Sequence, residues 1–320
     1  MDLTLLDSFT GVANGLAELT AGPAQRYGTL TMVPLLGPDA LETAPPSVGA
    51  RLATVHTYGD VSLKNESHLP AIAPLHLGYI QHGAQNHALC RSALIAPGKE
   101  VRFTDACCVQ AAQGGFLEGK AQWFFLLPRE LRGQALEQRG VSGYSKLWND
   151  IAQFNKSYGL HARGHLDELL VKQRGALNIF QSRFERLDSQ RGALFFLGEK
   201  LVGLEVAPTA AYFADIWPAL VCFVYGPEAW RNELSGKEPD ARAFEAESLE
   251  ELSVALHTER LRQERQLASC LEAARQPRPK TKPEQRWGAL CLSTLTGDSL
   301  IGQLVTESGE RVVWASLFAR

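Results

Sequence analysis

No apolar run in this 320-residue chain reaches the roughly 18 residues that a membrane-spanning helix needs. The start carries Asp2 and Asp7 and no basic cluster, so it does not read as a secretory leader, and a cytoplasmic protein is expected. The cysteines Cys90, Cys107, Cys108, Cys222, Cys270 and Cys291 form no C-x-x-C pair. That spacing excludes a zinc-ribbon pattern or a disulfide framework, and the thiols are expected reduced and mostly buried. Phosphate loops of the Walker A or G-x-G-x-x-G kind, the G-x-S-x-G nucleophile elbow and the H-E-x-x-H zinc helix are all missing. A formal net charge of −3 argues against a protein that coats nucleic acid or an anionic membrane. There is no internal repeat.

What is present is an ordinary globular composition, 45% hydrophobic and 21% charged, in a chain long enough for one large domain or two ordinary ones. Apolar spacing over residues 3–19 is near helical, weakened by Gly11 and Gly15. LTMVPLL (30–36) reads as a strand that Pro34 places at an edge or bend. From Arg51 to Gln110 short β-rich runs alternate with turn signals, which predicts an antiparallel sandwich or curved sheet. WFFLL (123–127) closes an apolar run expected in the core. After Pro128 the period changes: Leu147, Ile151, Phe154 and Tyr158 mark one helical stripe, and Leu166 to Leu187 a longer one. A hairpin with Gly198-Glu199-Lys200 at its tip follows, then an apolar element broken by Pro218.

Residues 239–275 are rich in Glu, Arg, Ala and Leu at helical spacing. QPRPKTKPEQR (276–286) reads as an extended linker, and the last strands, turning at Glu307-Ser308-Gly309-Glu310, as a hairpin. The predicted architecture is therefore α+β: an antiparallel β-sandwich-like sheet layer covered by helices, with a C-terminal helix and β-hairpin extension. Its divisions are residues 1–231 for the main α+β domain, 232–275 for a charged amphipathic helix, 276–286 for the linker and 287–320 for the hairpin. A helix and hairpin of this kind bury little alone, so residues 239–320 are expected to dock on the main body or contact a second copy or another protein.

The order of features from about Gly28 to Tyr225 resembles the ARPP-type domain, named for its association with ADP-ribosylglycohydrolase and rhodanese-phosphatase superfamily proteins in bacterial gene neighbourhoods. GTLTMVPLL resembles its opening strand and DVSLKNES its strand and turn. GYIQHGAQNHALCRSALIAPG is similar to its Gly-loop, Gln-Asn-Arg run and following strand, DACCVQ to its Cys-Val-Glu strand end, and KLWNDI to its Trp-bearing helix. The resemblance implies a bacterial protein with an ARPP-like scaffold. Four positions depart from the pattern. Tyr79 stands where a Glu is usual, Gln110 replaces the Glu of Cys-Val-Glu, His87 replaces the Arg, and Gly143-Tyr144 replaces an Asp-Gln pair. A neutral amide cannot act as a base and is a weak metal ligand, so the capacities those acids would confer are expected to be lost.

The stretch 76–110 is the best pocket candidate, with Tyr79, Gln81, Gln85, Asn86, His87, Cys108 and Gln110 as its candidate binding residues. Two readings of Gln85-Asn86-His87 stand side by side: groups that hydrogen-bond a polar small molecule, or groups that satisfy buried loop backbone. His76, His82 and His87 lie close in sequence but lack ligand spacing and an adjacent carboxylate. Cys108 would be a nucleophile only with a base such as His87 beside it and a lowered thiol pKa. Trp123, Phe124 and Phe125 could stack on a base, but an apolar strand in the core is the simpler reading. No catalytic residue, metal or cofactor is assigned. A non-catalytic ligand-binding or accessory domain with a nucleotide-like small-molecule ligand is favoured. The alternative is a hydrolase acting on a nucleotide or ADP-ribose-type substrate through Cys108, His87 and Gln85.

Overall fold

A computed structural model describes residues 2–81, 85–111, 122–236 and 245–320. Its organising element is a nine-stranded antiparallel sheet. Along the sheet run Thr20–Ala21, Leu30–Leu36, Gln190–Leu197, Lys200–Val206, Arg311–Ala319, Leu300–Glu307, Leu290–Thr296 and Lys280–Trp287, with Gln25–Tyr27 paired to Leu30–Leu36. Alternate residues point to opposite faces of a strand, and here both faces are apolar. Along Gln190–Leu197, Ala193 and Phe195 join one buried cluster, while Leu194 and Phe196 join the other. A sheet buried on both sides needs two covering layers. The larger is built from three small antiparallel sheets and most of the helices. The smaller comes from the N-terminal segment and the end of the helix Leu249–Ala273, which contributes Leu267 and Leu271. The α+β prediction therefore holds.

The C-terminal strands are not an appended hairpin. Gly203–Val206 pairs with residues 315–318, so the chain's last strand lies beside the middle of the main sheet. The segment 276–286, read as a linker, carries the edge strand Lys280–Trp287. Pro283 is tolerated because that edge has no further strand to receive a donor, and the register shifts between Pro283 and Gln285. Gln285 then turns its amide onto a neighbouring sheet: Leu94 N–H donates to Gln285 Oε1 at 2.8 Å and Gln285 Nε2 donates to Leu94 O at 2.9 Å. With residues 280–319 built into the chain's own sheet, the exposed apolar residues of 239–320 are concentrated on the helix, at Leu249, Val254, Leu256 and Leu261. Residues 237–244, expected within or beside that helix, lie outside the described residues, as do 113–121.

Other local expectations are refined. The near-helical N-terminus forms a short turn, Leu3–Leu6, and one helical turn, Asp7–Thr10, which Gly11 ends at φ +71°. The long stripe from Leu166 divides into Asp167–Leu170 and Arg174–Arg183. Pro218 sits near the end of the helix Ala210–Ala219, which continues as the wider-wound Leu220–Tyr225. Ser308 and Gly309 both take positive φ (52° and 78°), the geometry of a tight hairpin tip. Among the described residues, no helix is long and apolar enough to cross a membrane.

The layers are joined by a buried ion pair. Arg132, on the helix Arg129–Glu137, donates from Nη1 to Glu205 Oε1 at 2.8 Å and from Nη2 to Ser316 Oγ at 3.1 Å and Leu75 O at 3.3 Å. Tyr225 donates its hydroxyl to Glu205 Oε1 at 2.9 Å and stacks on Phe195, centroids 4.0 Å apart. The ring fits there only because residue 203 is glycine: a Cβ would meet the Tyr225 hydroxyl at 1.9 Å. Arg132→Ala leaves the Glu205 carboxylate buried without its cation, which should destabilise the fold by about 3–5 kcal/mol. Replacing both by apolar residues, Arg132→Met with Glu205→Leu, should restore most of that loss. Urea titration of the three chains checks the difference; a double variant as unstable as the single one would contradict it.

Candidate functional site

The stretch 76–110 folds as the strands Leu77–Gln81, His87–Ala88, Ala93–Ile95, Glu100–Phe103 and Cys107–Cys108, distributed over three small sheets. Cys107–Cys108 pairs with His87–Ala88, which pairs with Leu77–Gln81, and Gln122–Leu126 completes that sheet. His82 and Gly83, the far end of the expected glycine loop, lie outside the described residues.

The polar run is brought together and buried. Asn86 Oδ1 accepts the Gln81 N–H at 2.9 Å, and the Asn86 carbonyl accepts the Val109 N–H at 3.0 Å. Gln85 Nε2 donates to the Cys108 sulfur and, at 2.9 Å, to the Gln110 carbonyl. The Asn86 N–H reaches Gln110 Oε1 at 3.4 Å. The Cys108 thiol itself donates to the Gln110 carbonyl at 3.0 Å, and its own carbonyl accepts the Trp148 indole N–H at 3.1 Å. Gln85, Cys108 and Gln110 therefore converge, and their polar groups largely satisfy one another and nearby backbone, as buried polar groups must.

The same burial sets their chemistry. His87 Nε2 accepts the Gly59 N–H at 3.2 Å, which requires an unprotonated nitrogen there, and desolvation pushes the imidazole down to about 4. Burial raises the Cys108 thiol above its ordinary range, the opposite of what an activated nucleophile requires. Tyr79, at the usual Glu position, is buried; desolvation raises its phenol, which donates to the Ala50 carbonyl. His165 forms an isolated β-bridge with Gln110, and its Nδ1 lies 3.5 Å from Asp167 Oδ1. Among the described residues, no group of three or more His, Cys, Asp and Glu side chains stands together to hold a metal ion.

Tyr79 stands in one cross-strand row with His87 and Cys108, and it alone of the three reaches a groove. Its ring lines a groove of about 490 Å³ between the sheet's strand Gln122–Leu126, the helix Arg174–Arg183 and the helix Ala210–Ala219. Two cations enter the groove, Arg51 and Arg174. The Arg174 guanidinium lies over the Trp123 ring, 5.3 Å from its centroid, and Trp123 leans on Phe223 with centroids 5.9 Å apart. Gln122 donates from Nε2 to Leu52 O at 3.1 Å, while its Oε1 has no hydrogen-bond partner among the described residues. Asp215, also on the groove, accepts the Ser47 N–H at 2.7 Å and caps the short helix Pro46–Gly49. Of the seven candidate binding residues, this groove is lined by Tyr79; the other six stand outside its lining. Sequence reasoning missed Arg51 and Arg174, which share no local pattern, and favoured the core for Trp123, which the structure places on the groove. Trp123 and Phe125 share one face of their strand, so alternation gave no signal: Phe125 is fully buried while Trp123, nearer the strand's start, is half-buried on the groove.

His87 gives this site a pH signature. Between pH 6.5 and about 4 the unfolded chain takes up a proton at this position that the folded chain refuses, so folding stability should fall as pH drops through that window. His87→Gln keeps an acceptor for Gly59 and removes the titration. Its urea midpoint should depend less steeply on pH over that window, and an unchanged slope would count against the assignment.

The family model of the ARG and Rhodanese-Phosphatase-superfamily-associated Protein domain, ARPP-1, matches residues 18–294. The chain belongs to this family. The match runs well past Tyr225, through the long helix and into the strand Leu290–Thr296, so the C-terminal part is not an addition to the domain. No curated protein and no solved structure matches the chain.

Proposed function

We propose that this ARPP-1 family member is a non-catalytic binding domain whose groove takes a small, planar, anionic ligand of the nucleotide type. The observation that carries the reading is the Arg174–Trp123 pair, with Arg51 on the same groove. A half-buried aromatic face offers stacking to a flat ring, and guanidinium groups suit phosphate or carboxylate oxygens. The groove's volume is in the range of ordinary small-molecule sites.

The neutral side chains behind the groove support a binding role over a catalytic one. Gln85, Asn86 and Gln110 are amides engaged with the cluster itself, and the Cys108 thiol is driven toward its protonated form. In this reading they hold the strand that carries Tyr79. They do not touch the ligand.

Thermal-shift and tryptophan-fluorescence titrations with AMP, ADP-ribose and NAD test the proposal. Binding should raise the melting temperature and perturb Trp123 emission. Arg174→Ala and Arg51→Ala should each weaken binding about tenfold, the scale of one lost charge-assisted hydrogen bond. Chromatography of the recovered ligand should show it intact. Turnover would replace the binding reading with the hydrolase one, and no response to any of the three ligands would remove it.

A further inference from the structure

Cys90 and Cys107 take no part in the groove, yet they are the closest pair of thiols among the described cysteines. Both are fully buried, and their sulfurs lie 3.0 Å apart, inside ordinary van der Waals separation for two sulfur atoms. The topology explains the approach. Cys107 is paired with Ala88 across the short antiparallel ladder, and Cys90 stands two residues beyond Ala88, so the two thiols meet where the ladder ends. Cys108, next in sequence, points to the opposite face and is held by Gln85 and by the Gln110 carbonyl. The local surroundings also favour one sulfur as the nucleophile. The thiol hydrogen bond from Cys90, helped by the Lys146 ammonium, pulls Cys107 below the ordinary thiol range against the effect of burial. Lys146 is fixed nearby by its bonds to the carbonyls of Asp105 at 2.9 Å and Val141 at 2.5 Å.

We infer that Cys90 and Cys107 form a reversible dithiol–disulfide couple that a small peroxide oxidises. The Cys107 thiolate attacks one oxygen of hydrogen peroxide, the O–O bond breaks, and Cys107 becomes a sulfenic acid with loss of hydroxide. The Cys90 sulfur then attacks the sulfenic sulfur, the S–O bond breaks, and the departing hydroxide leaves as water with the Cys90 proton. The first hydroxide takes up the proton that Cys107 released. In total two thiols and one peroxide give one disulfide and two waters, with the sulfurs losing the two electrons that the peroxide gains. A second dithiol reverses the reaction by exchange. Access is by local opening of the ladder, in which Cys107–Cys108 and His87–Ala88 are strands of two residues each. Closing the bond needs the sulfurs to move by only about 1 Å, to the roughly 2.05 Å of a disulfide.

The full-length protein is treated with hydrogen peroxide, quenched, alkylated with N-ethylmaleimide and digested with trypsin without reduction. The couple predicts a linked pair of peptides, 65–91 with 103–120, lighter by about 2 Da than their sum. Fragmentation should place the bond on Cys107, with Cys108 alkylated, and dithiothreitol should return both thiols. Cys108→Ser should keep the link, while Cys90→Ser should abolish it and let Cys107 proceed to sulfinic acid. The wild-type mapping stands even if a variant fails to fold. A link to Cys108, peroxide damage at Cys107 without any link in the wild type, or six cysteines that all remain open to alkylation would each overturn the inference.

Discussion

A guanidinium and a carboxylate removed from water together, at Arg132 and Glu205, constrain nearly every layer of this protein. Neither charge is tolerable alone at that depth, so the helix Arg129–Glu137, the strand Lys200–Val206 and the last strand must come together. Phe318 lies beneath the guanidinium, 5.1 Å from centroid to carbon, and Tyr225 completes the shell around Glu205. Once these are in place, the main sheet has a covered face, and the small sheets have a surface to rest on. The pair contributes more to which arrangement forms than to how stable it is, because burying two charges costs about as much as their attraction returns.

That arrangement separates two kinds of polar residue in the same region. Gln85, Asn86, His87 and Cys108 are buried, and their polar groups bind mostly one another and the backbone. Arg51 and Arg174 lie on the groove, where their guanidinium groups border its open space, and Arg51 also pairs with Glu66 at 3.2 Å. Tyr79 joins the two settings: its hydroxyl donates to the Ala50 carbonyl, and the residue also lines the groove.

Much of the local structure was legible in the residues. The turn at Gly198 and the tip at Ser308-Gly309 follow from backbone freedom within a few positions, whereas Gly78 to Gln81, expected as the start of a glycine loop, lies in the fully buried strand Leu77–Gln81. The linker reading of 276–286 failed for an identifiable reason. Three prolines and several charges describe an edge strand as well as they describe an extended tether, because an edge needs only half its hydrogen bonds, and this one buries neither face. The long stripe after Leu166 was likewise apolar at helical spacing, but spacing does not record where a helix stops and restarts.

The sequence by itself determined the α+β class, the family, most strand and helix locations, and the neutral character of the candidate residues. Those properties depend on composition, on short-range periodicity and on residue identity at single positions. Only the tertiary structure decided that the last strand lies beside Lys200–Val206, that Gln85 meets Cys108, that Cys90 meets Cys107, and that Arg51 and Arg174 share a groove with Trp123. Such partners are far apart in the chain, and no local pattern encodes them. They are selected by the sum of burial and hydrogen bonding over the whole core, which exists only once the layers have closed.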